Sequence, residues 1–218
     1  MTRVLAVGSD VATLVAVAGG TLAKFVDGGA ETFVSEIGPA DGASQDGRDS
    51  RGSVTASTLG VTWLGTAWVD GHDDGRALRD PVMDVIRQAK PDVLLVSSIG
   101  TQGLVAHSET AFNAAYCSII PNYSSPQGLD PASVRAPILL VDDPESPTYQ
   151  PDQYVDISEQ WAQKQEALEA AGVMEGSPLR HLAETSSRAR GIQVQVDFAE
   201  GFMFERAWGR LRPHRVLP

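Results

Sequence analysis

Five short apolar runs separated by helical patterns constrain this chain more than any other feature. "RVLAV" (Arg3 to Val7), "ETFVSEI" (Glu31 to Ile37), "VTWLG" (Val61 to Gly65), "DVLLVSS" (Asp92 to Ser98) and "PILLVD" (Pro137 to Asp142) have the length and apolar content of buried strands. Between them, "AGGTLAKFVDGG" closes on a glycine pair that suits a helix stop, and "RDPVMDVIRQAKP" sets Val82, Val85, Ile86 and Ala89 on one face before Pro91 ends it. Strand alternating with helix requires right-handed crossovers, and so a Rossmann-like α/β three-layer sandwich: a mostly parallel sheet with helices on both faces. A length of 218 residues fits one domain spanning 1–218.

Two stretches interrupt the alternation. "GPADGASQDGRDSRGS" (Gly38 to Ser53) is rich in Gly, Asp and Ser and predicts a long loop at the carboxyl end of the sheet, where ligands of such folds bind. "NYSSPQGLDPASVRAP" (Asn122 to Pro137) predicts a second loop of similar make. Beyond it, "VDISEQWAQKQEALEAAG" predicts a helix capped by Asp156 or Ser158, with Ile157, Trp161 and Leu168 turned inward. "IQVQVDF" alternates with period two and predicts a late, more exposed strand. The two together form a small C-terminal helix-strand extension.

Charge and cysteine content narrow the partners. Seventeen basic against 28 acidic side chains leave a net charge of −11, which repels a phosphate backbone, so nucleic acid is not an expected partner. Arg206, Arg210, Arg212 and Arg215 give the acidic chain a basic tail, either solvated or docked on an acidic surface. Cys117 is the one cysteine, so an internal disulfide and a Cys-rich metal site are both precluded; inside a helical run beside Tyr116 and Ile119 it is expected to pack. With no signal-peptide pattern and no apolar span of about 18 residues, a cytoplasmic location away from the membrane is expected.

The order of the motifs resembles the LmbE-like, or PIG-L, N-deacetylases. "RVLAVG" and "GGTLAKF" match the family's opening strand and glycine helix at the family spacing; "LGVTWLG" and "IRQAKPDVLLVSS" are similar to the elements before its second metal motif. "YVDISEQWAQKQEAL" and "VDFAEGFMF" are similar to its late helix and closing strand. The resemblance implies the family fold and a catalytic zinc held by His and Asp of a His-Pro-Asp-Asp turn and by His of a later motif, with the first Asp of the pair as base. Laid onto this chain, the His falls on Asp10, the Pro on Val11, the base on Ala12 and the ligand Asp on Thr13, with Leu14 following. In the later motif Leu104 takes the place of the oxyanion His, and His107 that of the zinc-binding His. One of three ligands survives, Ala12 carries no proton acceptor, and no cofactor is expected, zinc remaining an alternative.

Asp10 and His107 are then the candidate catalytic groups. Asp10 reads as a helix N-cap and equally as a pocket carboxylate able to bind an ammonium or a sugar hydroxyl; His107 is a titratable group in the old zinc site. Candidate substrate-binding residues are Ser9, Thr13, Arg48 in the predicted loop, Asp70 and His72 of "WVDGHDDGR", Ser98 at the end of the fourth strand beside Ser97, and Asp142 before Asp143 at the end of the fifth. The "WVDGHDDGR" cluster also reads as a solvated turn, and the Asp142–Asp143 pair as a plain strand end. Three functions remain open. The first is a repurposed, metal-independent enzyme acting on a small polar amino-sugar- or amide-type metabolite in a specialised biosynthetic pathway. The second is a non-catalytic pseudoenzyme or ligand- or partner-binding subunit, and the third an unusual metal-dependent N-deacetylase or amidohydrolase. The resemblance also implies a homo-oligomer.

Overall fold

A computed structural model describes residues 1–39, 45–69, 75–97, 104–144 and 149–205. In chain order its elements are β1 (Arg3–Gly8), α1 (Val11–Asp27), β2 (Glu31–Pro39), α2 (Gln45–Leu59), β3 (Thr62–Val69), α3 (Gly75–Ala89) and β4 (Val93–Val96). There follow α4 (Leu104–Cys117), β5 (Ile138–Val141), β6 (Gln153–Asp156), α5 (Trp161–Ala170), α6 (Pro178–Val194) and β7 (Ala199–Phe204). The strands form one sheet in the order β3-β2-β1-β4-β5-β7-β6. β1 to β5 run parallel, and β7 is antiparallel to both β5 and β6. This is the mostly parallel three-layer α/β architecture that the alternation of runs predicts.

Alternate strand residues feed two cores. Val4, Ala6, Val34, Leu95 and Val141 meet α1, α2, α5 and α6 on one face; Leu5, Val7, Ile37, Leu94 and Val96 meet α3 and α4 on the other. Chain order climbs from β1 to β3 on one side of β1, and β4 then enters on the other side. The carboxyl ends of β1 and β4 therefore diverge at a topological switch point, the place where sheets of this type open a ligand crevice.

Three predicted boundaries are corrected. The long loop over Gly38 to Ser53 is cut at both ends: β2 runs on to Pro39, and Gln45–Leu59 is helix. That helix is made of poor helix formers, and packing overrides propensity because Ala56 and Leu59 enter the core. Gly52 lets the helix lie against the indole of Trp63, where a Cβ would collide with the ring at Cζ2. "IQVQVDF" is not a strand. Ile192 and Val194 end α6 and stay exposed at 78% and 36%, Gln195 caps the helix in the left-handed region (φ 63°), and Phe198 at the end of the run packs against the core and stacks on Trp161. Asp156 does not cap a helix but ends β6, accepting Ser158 N–H at 2.9 Å and Ser158 Oγ–H at 2.6 Å, while α5 begins at Trp161.

The loop over Asn122 to Pro137 contains no helix or strand and is tied down from below. Arg87 of α3 is 2% exposed and donates to the carbonyls of Ser118, Leu129, Cys117, Ile120 and Tyr123; Asp84 accepts from Ser125 Oγ and Gln127 N. The loop leads into the amino end of β5, away from the crevice. A buried ion pair joins the α1 layer: Lys164 Nζ of α5 lies 2.8 Å from Glu200 Oε1 of β7 and 3.0 Å from Ser187 Oγ of α6. Glu200 also accepts the amides of Gly20 (3.0 Å) and Thr21 (2.7 Å) within α1, so one carboxylate fixes α1 to the sheet.

Candidate functional site

At the switch point β1 ends in Gly8, and the chain turns through Ser9 and Asp10 into α1. Asp10 is extended (φ −155°, ψ 153°), the conformation of an N-cap. Its Oδ1 accepts Thr13 N–H at 2.8 Å, and its Oδ2 accepts Thr13 Oγ1–H at 2.6 Å and Ser9 Oγ–H at 3.5 Å. Ser9, Asp10 and Thr13 are therefore brought together, with both oxygens of Asp10 engaged by its own helix. Val11 and Leu14 are buried in the core at 2% and 1% exposure, and Ala12 packs against it.

Beside this turn stands a group that sequence reasoning missed. Glu36 of β2 is 3% exposed, and its Oε1 accepts the Val11 amide at 2.5 Å. Its Oε2 has no hydrogen-bond partner among the described residues; the nearest cation is Arg48 of α2, with Nη1 at 3.8 Å. Burial pushes the Glu36 carboxyl above its ordinary range; the nearby Asp10 adds to this, while the Val11 amide, Arg48 and Arg51 oppose it. The first helical turn thus receives two carboxylates, from Asp10 and Glu36, which suits the positive end of the α1 dipole. The available signal was a Glu in the run "ETFVSEI" on the face that carries Thr32 and Val34, both buried.

Strand register places Glu36 in a row. Glu36 pairs with Gly8, and Val7 pairs with Val96, so Ser97 follows on the other side of Gly8. A Cβ on Gly8 would lie 3.3 Å from Leu14 Cβ and 3.5 Å from Ser97 Cβ, which puts Gly8 and Ser97 on the α1 face, the face from which Glu36 meets Val11. Ser97 is 2% exposed and its Oγ, like Glu36 Oε2, has no hydrogen-bond partner among the described residues. Buried polar atoms are nearly always paired, and these two flank one glycine at the switch point, the part of such sheets where ligands bind, which makes them the candidate site.

The remaining candidates divide. Arg48 joins the row through Glu36, from helix rather than loop. Asp142 is held elsewhere: Arg190 of α6 grips it with Nε at 2.5 Å and Nη2 at 2.9 Å, a two-point guanidinium–carboxylate pair. Asp143 beside it is 5% exposed. His107 lies in α4, its side chain outside the description, and Asp70, His72 and Ser98 fall outside the described residues. Among the described residues no group of three His, Cys, Asp or Glu side chains converges to hold a metal ion, and no helix is long and apolar enough to cross a membrane.

No protein-family model and no curated protein matches the sequence. Solved structures do match over nearly the whole chain. The 4-carboxy-2-hydroxymuconate hydratase GalB of Pseudomonas putida aligns at a TM-score of 0.74 with 19% identity, covering 98% of this chain and 99% of that one. N,N'-diacetylchitobiose deacetylase of Pyrococcus horikoshii aligns at 0.70 with 20% identity over 98% and 88% of the two chains. A deacetylase of teicoplanin biosynthesis aligns at 0.65 with 14% identity over 95% and 100%. The chain has the fold of the LmbE-like deacetylases, as the motif order predicts.

Proposed function

We propose that this chain is a zinc-independent member of the deacetylase fold that binds a small polar metabolite, of amino-sugar or amide type, at the carboxyl ends of β1, β2 and β4 and acts on it there. The observation that carries the reading is the row Glu36–Gly8–Ser97 under the first turn of α1, with its two buried, unpartnered polar atoms. The donor set at the turn does not fit a three-ligand zinc ion: Asp10 is engaged as a cap, and Val11, Ala12 and Leu14 bring only alkyl groups. A hydratase and deacetylases share this architecture, which supports a change of chemistry on one scaffold. A biosynthetic role is supported by the teicoplanin-pathway relative.

A non-catalytic ligand-binding role is the second reading, favoured by the engagement of both Asp10 oxygens as acceptors within the turn, which makes that carboxylate a cap before it is a catalytic group. Two measurements on the purified chain test the proposal. Elemental analysis is expected to find zinc far below one equivalent, and turnover or binding to withstand a chelator. Amide and side-chain NMR shifts on adding N-acetylglucosamine or glucosamine are expected at Gly8 to Thr13, Glu36 and Ser97. Stoichiometric zinc overturns the zinc-free reading, and shifts confined to other surfaces overturn the location.

A further inference from the structure

We infer that Glu36 is the proton-transferring group of this site, working through Oε2 while Oε1 stays fixed on the Val11 amide. The inference rests on the small-molecule reading above. Ala12 and Thr13 cannot transfer a proton as a carboxylate does, and both Asp10 oxygens already accept hydrogen bonds from their own helix. Glu36 differs on each count. Its carboxyl is anchored at one oxygen by a 2.5 Å bond, which fixes the orientation of the other. That other oxygen is buried and has no hydrogen-bond donor among the described residues, and on the far side of Gly8, which pairs with Glu36 in the sheet, Ser97 Oγ is likewise unpartnered.

Among the described residues, the titratable and charged groups facing Glu36 are Asp10 at the start of α1 and Arg48 and Arg51 of α2. They act in opposition. Burial, the largest influence, and Asp10 favour the protonated acid, whereas the Val11 amide, Arg48 and Arg51 favour the carboxylate, and the net effect raises the carboxyl above its ordinary range. In one direction Oε2 takes a proton from a ligand O–H or N–H, and the Glu36 charge goes from −1 to zero as the ligand atom gains an electron pair. In the other, Oε2–H returns that proton to a leaving oxygen or nitrogen. Ser97 Oγ–H is placed to donate to a ligand carbonyl or hydroxyl on the far side of Gly8. No metal ion or redox partner enters the balance.

The test uses the whole chain, its Glu36→Gln variant, which keeps the acceptor for Val11 N–H, and N-acetylglucosamine as the probe. In ¹³C-glutamate-labelled protein, one side-chain carboxyl resonance is expected to titrate above the exposed glutamates and to vanish in E36Q. Probe affinity is expected to change with pH around that same midpoint in the wild type and to be flat in E36Q. A Glu36 resonance that titrates with the exposed glutamates, or an unchanged affinity profile in E36Q, overturns the inference while the site itself stands, provided the probe still shifts Gly8 and Ser97. A probe that shifts neither residue removes the site reading and the inference with it.

Discussion

Replacing Lys164 with methionine tests the pair that holds α1, and with it the site, to the sheet. The side chains of Lys164 and Glu200 are 0% and 1% exposed, and their 2.8 Å contact is supplemented by Ser187 Oγ on the lysine and by the Gly20 and Thr21 amides on the glutamate. Methionine preserves the volume of the stem but leaves a carboxylate buried without its cation, a change that costs about 3–5 kcal/mol when one partner of a buried pair is removed. Because two amides still solvate Glu200, the lower end applies, about 3 kcal/mol. For a chain of this size, at about 2–4 °C per kcal/mol, that is a fall in Tm of roughly 6–12 °C. Urea unfolding and calorimetry measure it. The double variant Lys164→Met/Glu200→Gln removes both charges and keeps an amide oxygen for one α1 donor, so its loss should be several kcal/mol smaller than the sum of the single losses. A Lys164→Met loss under about 1 kcal/mol, or a double variant equal to the sum, refutes the reasoning.

Three further outcomes are expected. For Glu36 the folded pKa lies above the unfolded one, so its contribution to stability is full below the unfolded carboxylate range and is lost as pH rises through the folded value; the stability of Glu36→Gln relative to wild type should therefore grow from pH 4 to pH 8, by about 1.4 kcal/mol for each unit of elevation, and a constant difference in chemical denaturation across that range refutes it. Asp10→Ala should cost about 1 kcal/mol by loss of the α1 cap, with Asp10→Asn costing less in the same denaturation assay; equal losses would place the effect in charge rather than capping. Arg87→Leu strips the donor from the Ser118 to Leu129 carbonyls, so hydrogen exchange over residues 118–129 should accelerate and stability fall by about 3 kcal/mol; unchanged protection there would show that the loop holds itself.

The sequence by itself determined the architecture. Runs such as "VLLV" of β4 and "ILLV" of β5 are apolar throughout because strands covered by helices on both faces bury nearly every residue, Leu140 alone of these eight being half-buried, and that local composition can be read without knowing the partners. The Asp10 cap and the alkyl first turn of α1 were legible for the same reason, since both are interactions between near neighbours. Tertiary structure decided the rest. α2 is helical over a Gly-, Asp- and Ser-rich stretch because Ala56 and Leu59 find a core, and "IQVQVDF" is not a strand because α6 takes its first half, through Val194, and Gln195 turns the chain before β7 begins at Ala199. Asp142 stands at a strand end as expected, but Arg190, 48 residues further on, takes its carboxylate. Glu36 became a site residue through a bond to Val11, across 25 positions, and through the register that sets it beside Gly8 and Ser97. Local hydrophobicity is encoded in consecutive residues, whereas the meeting of two polar groups depends on which strands are neighbours, and only the folded chain settles that.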